Sequence, residues 1–275
     1  MNGLEVVKIL LIDRDEASSN QIALRLQSMG YDVMVETSRE IALEMVGKQD
    51  FKIVIADPSP LREPRQFFTA LRNASKSYPY IIMLNHEKPE NILKSGANKF
   101  INKPVDPSVL EKIILEATDL LQLRSKLSDI KTDYPSERGI ISKSAFNQIF
   151  LSCVERADRH GEPTFCLFIK VENYRQLNAD SSDAANLATA KLAHELSATR
   201  RQSDILGQLD EAEYAVLFLL ISSEGEPHEA SLRFMDSLSS VKGFKDRPEL
   251  EVVINLKLVE LPSGATLLDK SFSAQ

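Results

Sequence analysis

Three apolar runs, each closed by a charged residue, constrain this chain more than any other feature. FKIVIAD at 51–57 is rich in β-branched residues and ends in Asp57, so it reads as a buried parallel strand with a carboxylate at its carboxyl end. KILLID ends in Asp13, and NKFINKP carries Lys103 just before Pro104. Between these runs the periodicity changes to that of helices. Ala17 to Met29 is amphipathic and Gly30 closes it; Ser38 is placed to cap a second helix over 38–46. YDVMVE reads as a strand, PRQFFTALRNA as a third helix, YIIML as a strand, and Glu90 to Leu93 as the start of a short helix. Five β/α units in about 105 residues predict a doubly wound five-stranded parallel sheet with helices on both faces.

In an open α/β sheet, ligands bind outside the carboxyl ends of the strands. Asp13, Asp57 and Lys103 would meet there. Together they suit phosphoryl chemistry: a carboxylate nucleophile, a divalent cation to offset phosphate charge, and a lysine on the transferred oxygens. Each residue alone also reads as a solvated group at a strand end.

Composition narrows the class. With 43% apolar and 27% charged residues the chain is globular, and its 275 residues allow about two domains. A net charge of −7 argues against a general grip on nucleic acid or an anionic membrane. Cys153 and Cys166 lie in separate apolar segments and are expected to be buried free thiols. His86, His160, His194 and His228 show no metal-ligand spacing. No segment is apolar for 18 residues and the N-terminus lacks a signal pattern, so a cytoplasmic location is expected.

The order LIDRDE, IAD, GANKFINKP resembles the receiver domain of two-component response regulators, over about residues 6–125. The resemblance implies a flavodoxin-like fold with Asp57 as phosphoacceptor, Asp13 and Asp57 holding Mg2+, Lys103 contacting the phosphate, and Phe100 as the switch aromatic. It also implies a sensor histidine kinase or phosphotransfer protein as partner. The sequence departs from the family at Arg14, where a second acid is usual, and at Asn85, where a switch hydroxyl is usual. The loop PSPLREP lacks the family's glycine.

Ser108 to Lys131 contains neither Gly nor Pro and predicts one helix of about 36 Å. Ile113, Leu120 and Leu127 recur every seven residues, as do Leu123 and Ile130, a seam that fits a parallel homodimer. The same spacing also fits packing of Ile113 to Leu121 on the receiver core. The expected division is a receiver over 1–125, an overlapping linking helix over 108–132, and a second domain over 133–275.

In that second domain, helices are expected at 144–159, 187–199 and 230–241. TFCLFIKVE is expected to form a strand, ILGQLDEAEYAVLFLL a hairpin and LEVVINLKLVEL the last strand of a mostly antiparallel α+β domain. The segments KVENYRQLN and RQSDILGQLDEAEYAVL resemble the GGDEF domain of diguanylate cyclases, over about 133–262. The signature becomes Asp210-Glu211-Ala212-Glu213-Tyr214, the first metal acid becomes Lys170, and Leu187 replaces the guanine-binding acid, although Asn178 remains. Cyclase chemistry needs carboxylates for divalent cations and glycines close to the triphosphate. The resemblance therefore implies a non-catalytic output domain with no cofactor. Arg201 and Asp204 match the family's RxxD site for cyclic di-GMP. The expectation is a response regulator acting by dimerisation or partner binding, against a cyclic di-GMP receptor, a residual cyclase, or a scaffold independent of phosphorylation.

Overall fold

The computed structural model describes residues 7–87, 90–129, 133–134, 139–223, 225–240 and 251–274. The chain divides into two units, Met1–Gln122 with Glu155–Glu162, and Leu123–Val154 with Pro163–Gln275.

In the first unit the strands are β1 (Lys8–Ile12), β2 (Asp32–Glu36), β3 (Ile53–Ala56), β4 (Tyr80–Asn85) and β5 (Lys99–Asn102). All pair in parallel, in the order β2-β1-β3-β4-β5, the doubly wound arrangement in which the order reverses beside β1. The helices are α1 (Glu16–Ser28), α2 (Arg39–Lys48), α3 (Pro64–Ala74) and α4 (Pro107–Ser128). Ser38 caps α2 as the sequence predicts, accepting from Ile41 N, and Gly30 follows α1 at a φ of 90°.

Strand alternation decides which side chains reach which layer. Leu10, Ile12, Val54, Ala56, Ile81 and Met83 form one core with α2 and α3. Their neighbours Ile9, Leu11, Ile53, Ile55 and Ile82 are fully buried on the opposite face. There Arg25 of α1 is ion-paired with Glu111 of α4, and the Tyr31 hydroxyl, after α1, contacts that of Thr118 on α4.

Two sequence expectations change here. The helix expected from Glu90 is a single 3-10 turn at Leu93–Ser95, stopped by Gly96 in the left-handed region at φ 89°. The seam assigned to a twin helix is covered within the chain: Ile113 is 7%, Leu120 2% and Leu127 0% exposed. Heptad spacing reports an apolar stripe, not what covers it. Ile130 and Lys131 lie outside the described residues, as do Pro135 and Ser136.

The second unit carries β6 (Ile140–Ile141), β7 (Thr164–Val171), β8 (Asp204–Asp210), β9 (Glu213–Phe218), β10 (Val252–Leu261) and β11 (Thr266–Ala274). The sheet order is β11-β10-β7-β9-β8-β6, antiparallel except for β6 with β8. The helices are α5 (Lys143–His160), α6 (Tyr174–Asp180), α7 (Ser182–Thr199) and α8 (Glu226–Ser239). Ala188, Leu192 and Leu196 of α7 and Phe234 and Leu238 of α8 bury one sheet face.

The sequence reading ended the sheet at β10, but β11 continues it. Only Leu268 and Ala274 of β11 are buried, so its alternation is weak; the Pro262-Ser263-Gly264 turn before it, with Gly264 at φ 74°, was the available signal. Cys153 and Cys166 are free and buried, as expected. Among the described residues no helix is long and apolar enough to cross a membrane.

On the opposite face Phe146 of α5 lies on Gly207 of β8. A Cβ at Gly207 would stand 2.5 Å from Phe146 Cδ2 and 2.8 Å from its Cβ, and Phe146 is fully buried. Gly207→Ala is therefore expected to cost about 1–3 kcal/mol by overpacking. Urea unfolding of the variant checks this, and an unchanged midpoint would contradict it.

Candidate functional site

The three charged strand ends converge. Asp13 follows β1, Asp57 follows β3 and Lys103 follows β5, each one residue past its strand. The backbone fixes all three: Asp57 N donates to Ile12 O at 2.8 Å, Asp13 N to Glu36 O at 3.2 Å, and Lys103 N to Asn85 O at 2.9 Å. Lys103 Nζ lies 2.5 Å from Asp57 Oδ2 and 2.8 Å from Asp13 Oδ2, and it donates to Asp13 Oδ1 at 3.0 Å. The side chains of Lys103, Asp13 and Asp57 are 6%, 2% and 10% exposed, so this triad is shielded from screening.

Burial pushes the Asp57 carboxyl up, but hydrogen bonds from Lys103 and Ser59 and the Lys103 charge outweigh it; the pKa lies below its ordinary 3.8. Burial likewise pulls Lys103 down, and its bonds and charge contacts with Asp13 and Asp57 hold it above 10.5. Asp57 is thus held ionised with an ammonium beside it.

The acids and amide around the triad have other duties. Arg14 is exposed, and its charge acts on Glu40 at the start of α2. Lys103, not Arg14, bridges the two carboxylates. Asp15 caps α1, accepting from Ala17 N at 3.0 Å and Ser18 N at 3.2 Å, and its own N donates to Asp13 Oδ1 at 3.0 Å. Asn85 stands at the end of β4 with its side-chain oxygen accepting from His86 N at 2.8 Å. Phe100 is half-buried against the core shared with α2 and α3.

Asp13 Oδ2 is buried and has no hydrogen bond, although Lys103 Nζ lies nearby. Asp13 and Asp57 are the carboxylates that would hold a magnesium ion, which prefers oxygen ligands.

Sequence reasoning missed three contributors. Ser59 N donates to Asp57 Oδ1 at 2.8 Å. The Asn102 amide, oriented so that its nitrogen donates, bonds Asn85 O at 3.1 Å and His86 O at 2.8 Å. A groove of about 360 Å³ opens beside Lys103, walled by Ser18, Gln21 and Ile22 of α1 and by Pro104 and Leu110, with His86 at its edge. Asn102 sits next to Lys103 in NKFINKP and was the most visible of these signals.

The second unit brings its candidate residues together differently. Asp210 ends β8, Glu211 and Ala212 make the turn, and Glu213 opens β9. Glu213 pairs with Lys126 and, at 3.2 Å, with Lys170, its register partner on β7. Ala212 and Tyr214 belong to the core, and Ala212 O accepts from Val171 N at 3.0 Å. Burial, helped by Tyr134 and Tyr174, pushes Tyr214 up to about 12. Asn178 is exposed on α6, whereas Leu187 packs against the core. Asp204 is 3% exposed and accepts from Arg201 N at 2.9 Å, and the Arg201 guanidinium is ion-paired with Glu226.

Residues 9–115 match the response regulator receiver domain, and that stretch is a receiver domain of the two-component type. Among curated relatives, the transcriptional regulatory protein GlrR of Escherichia coli is 29% identical over 118 residues, 40% of this chain and 26% of that protein. The chain spans about a third or less of the length of the curated relatives it matches. Among solved structures, the chemotaxis response regulator CheY4 of Vibrio cholerae is 26% identical, covering 41% of this chain and 99% of that one, with a TM-score of 0.37. The GGDEF domain of PA1120 from Pseudomonas aeruginosa is 17% identical, covering 43% of this chain and 74% of that one, with a TM-score of 0.36.

Proposed function

We propose that this chain is a phosphorelay response regulator that takes a phosphoryl group on Asp57 and signals through a second unit that binds rather than catalyses. The observation that carries the reading is the buried Asp13–Lys103–Asp57 triad, with Asp57 held ionised. Asp57 Oδ attacks the phosphorus of a phosphohistidine or acyl phosphate donor, and the donor keeps the electron pair of the broken bond. Asp13 and Asp57 would hold Mg2+, which offsets phosphate charge, while Lys103 turns its ammonium to the new oxygens. The donor would be a sensor histidine kinase or phosphotransfer protein, approaching along the groove beside Lys103.

For the second unit, a non-catalytic GGDEF-like domain is supported by the lysines around Glu213 and by the apolar Ala212 in the core. Ammonium groups at this turn disfavour divalent cations, and the turn places Asp210 and Glu211 where a triphosphate would need glycine. Because the Ile113–Leu120–Leu127 seam is already covered, the output is assigned to a partner surface rather than to pairing of α4.

Peptide mapping after borohydride reduction tests the reading, since reduction converts an aspartyl phosphate to homoserine. Homoserine at position 57 after treatment with acetyl phosphate and magnesium is expected; its absence from folded protein contradicts the proposal and favours the scaffold.

One observation keeps cyclic di-GMP as a second reading. Arg233 Nη2, in a pocket lined also by Arg201 and Asp204, is buried without a hydrogen-bond partner, as a site for an anionic ligand would leave it. Binding would require Arg201 to leave Glu226. On this reading, calorimetry detects cyclic di-GMP with the wild type and loses it with Arg201→Ala; no heat with either removes the reading.

A further inference from the structure

We propose that His86 is a catalytic residue of the phosphoacceptor site, taking the proton of the water that hydrolyses phosphorylated Asp57 and so setting the lifetime of the signal. The proposal rests on Asp57 being the phosphoacceptor.

Register places the imidazole. Asn85 pairs with Asn102, so His86 and Lys103 face each other on the next rung of β4 and β5. Ala56 pairs with Met83, which puts Asp57 level with Leu84, two residues before His86. At about 3.3 Å per residue, His86 stands about 7 Å farther out along β4 than Asp57. β4 lies between the strands that deliver Asp57 and Lys103, and Lys103 Nζ reaches across its end to Asp57. His86 therefore follows β4 at the same sheet edge as the carboxylate, farther out along the strand direction. Its backbone is pinned there by Asn85 and Asn102.

Two of the groove's side chains, His86 and Asp15, can accept a proton, and Asp15 is held at the start of α1 by its cap. The other ionisable side chains are Arg25 and Lys103. Arg25 is paired with Glu111, and Lys103 is an ammonium between carboxylates. Arginine and protonated lysine cannot accept a proton. Among the described residues the His86 ring has no hydrogen-bond partner, so its ring nitrogens are open to a water. In the step, the water oxygen bonds to phosphorus as the bond from phosphorus to the Asp57 oxygen breaks. The electron pair returns to the carboxylate, the water proton passes to His86, and inorganic phosphate leaves; His86 then releases the proton to solvent.

The test uses the full chain, phosphorylated with acetyl phosphate and magnesium and freed of donor by rapid gel filtration, with loss of the phosphoryl group followed by intact mass. His86→Ala is expected to lose the group about 100-fold more slowly than wild type, and added imidazole to restore much of the rate. His86→Asn, which keeps a polar side chain without a basic nitrogen, should be as slow as His86→Ala. Loss from His86→Ala at the wild-type rate or faster would overturn the assignment, as would slow loss that imidazole does not accelerate. Wild type that takes up no phosphoryl group removes the phosphoacceptor reading and the His86 assignment with it. Uptake followed by equal loss from all forms overturns the His86 assignment alone.

Discussion

Replacing Lys103 with Met lowers the stability of the first unit by about 3–5 kcal/mol at neutral pH, because it strands two buried carboxylates without their shared cation. The ammonium touches both Asp13 and Asp57, and all three side chains are at most 10% exposed. Met keeps the volume of the lysine stem, so lost packing contributes little. The pH dependence separates this account from a simple packing defect. In the wild type the Asp57 pKa lies below 3.8, so its contribution is present above that pH and is lost as pH falls through the folded value. The Lys103 pKa lies above 10.5, so its contribution is present below that pH and is lost as pH rises through the folded value.

Between those limits the triad stabilises fully. In Lys103→Met the sign reverses on the acid side: the facing carboxylates raise each other's pKa, and protonation relieves them. The gap between variant and wild type should shrink as pH falls toward about 4. Urea unfolding of the full chain across that range measures it. A gap under about 1 kcal/mol at neutral pH, the scale of an exposed pair, would contradict the account, as would a gap that does not change with pH.

Asp13→Asn attacks function rather than fold. The amide oxygen can still accept from Asp15 N, as the carboxylate does at 3.0 Å, so the loop after β1 keeps its bond. The lost charge leaves Lys103 neutralised by Asp57 alone, and on the proposed function a divalent cation would find one carboxylate in place of two. Phosphoryl uptake should fall about 100-fold, the scale of removing one electrostatic stabiliser of a transition state, and its dependence on magnesium should weaken. Initial rates of uptake over a magnesium series give both readouts. Equal rates and equal magnesium dependence would remove Asp13 from the site.

The receiver fold was legible because its central strands β1, β3 and β4 are continuous apolar runs, and parallel strands buried on both faces have no other pattern to show. Asp57 and Lys103 were legible for a related reason: a charge that closes such a run can only stand at the sheet's edge. Asn102 and His86 were not, since an amide and an imidazole beside a strand end carry no signal until register sets them next to Lys103. The stripe Ile113, Leu120, Leu127 was legible as apolar and is buried within the single chain, but spacing alone cannot distinguish a twin helix from the chain's own core. β11 escaped because most of its residues face solvent. In the second unit the hairpin was visible from its alternation, yet the Lys126–Glu213 pair joins residues far apart in sequence, which only the fold brings together.

Intact-mass spectrometry of the full chain after acetyl phosphate and magnesium, with Asp57→Asn treated alongside, decides whether Asp57 accepts a phosphoryl group. The wild type should gain one phosphoryl group and the variant none. Equal gain by both proteins, or no gain by a well-folded wild type, would contradict Asp57 as the acceptor.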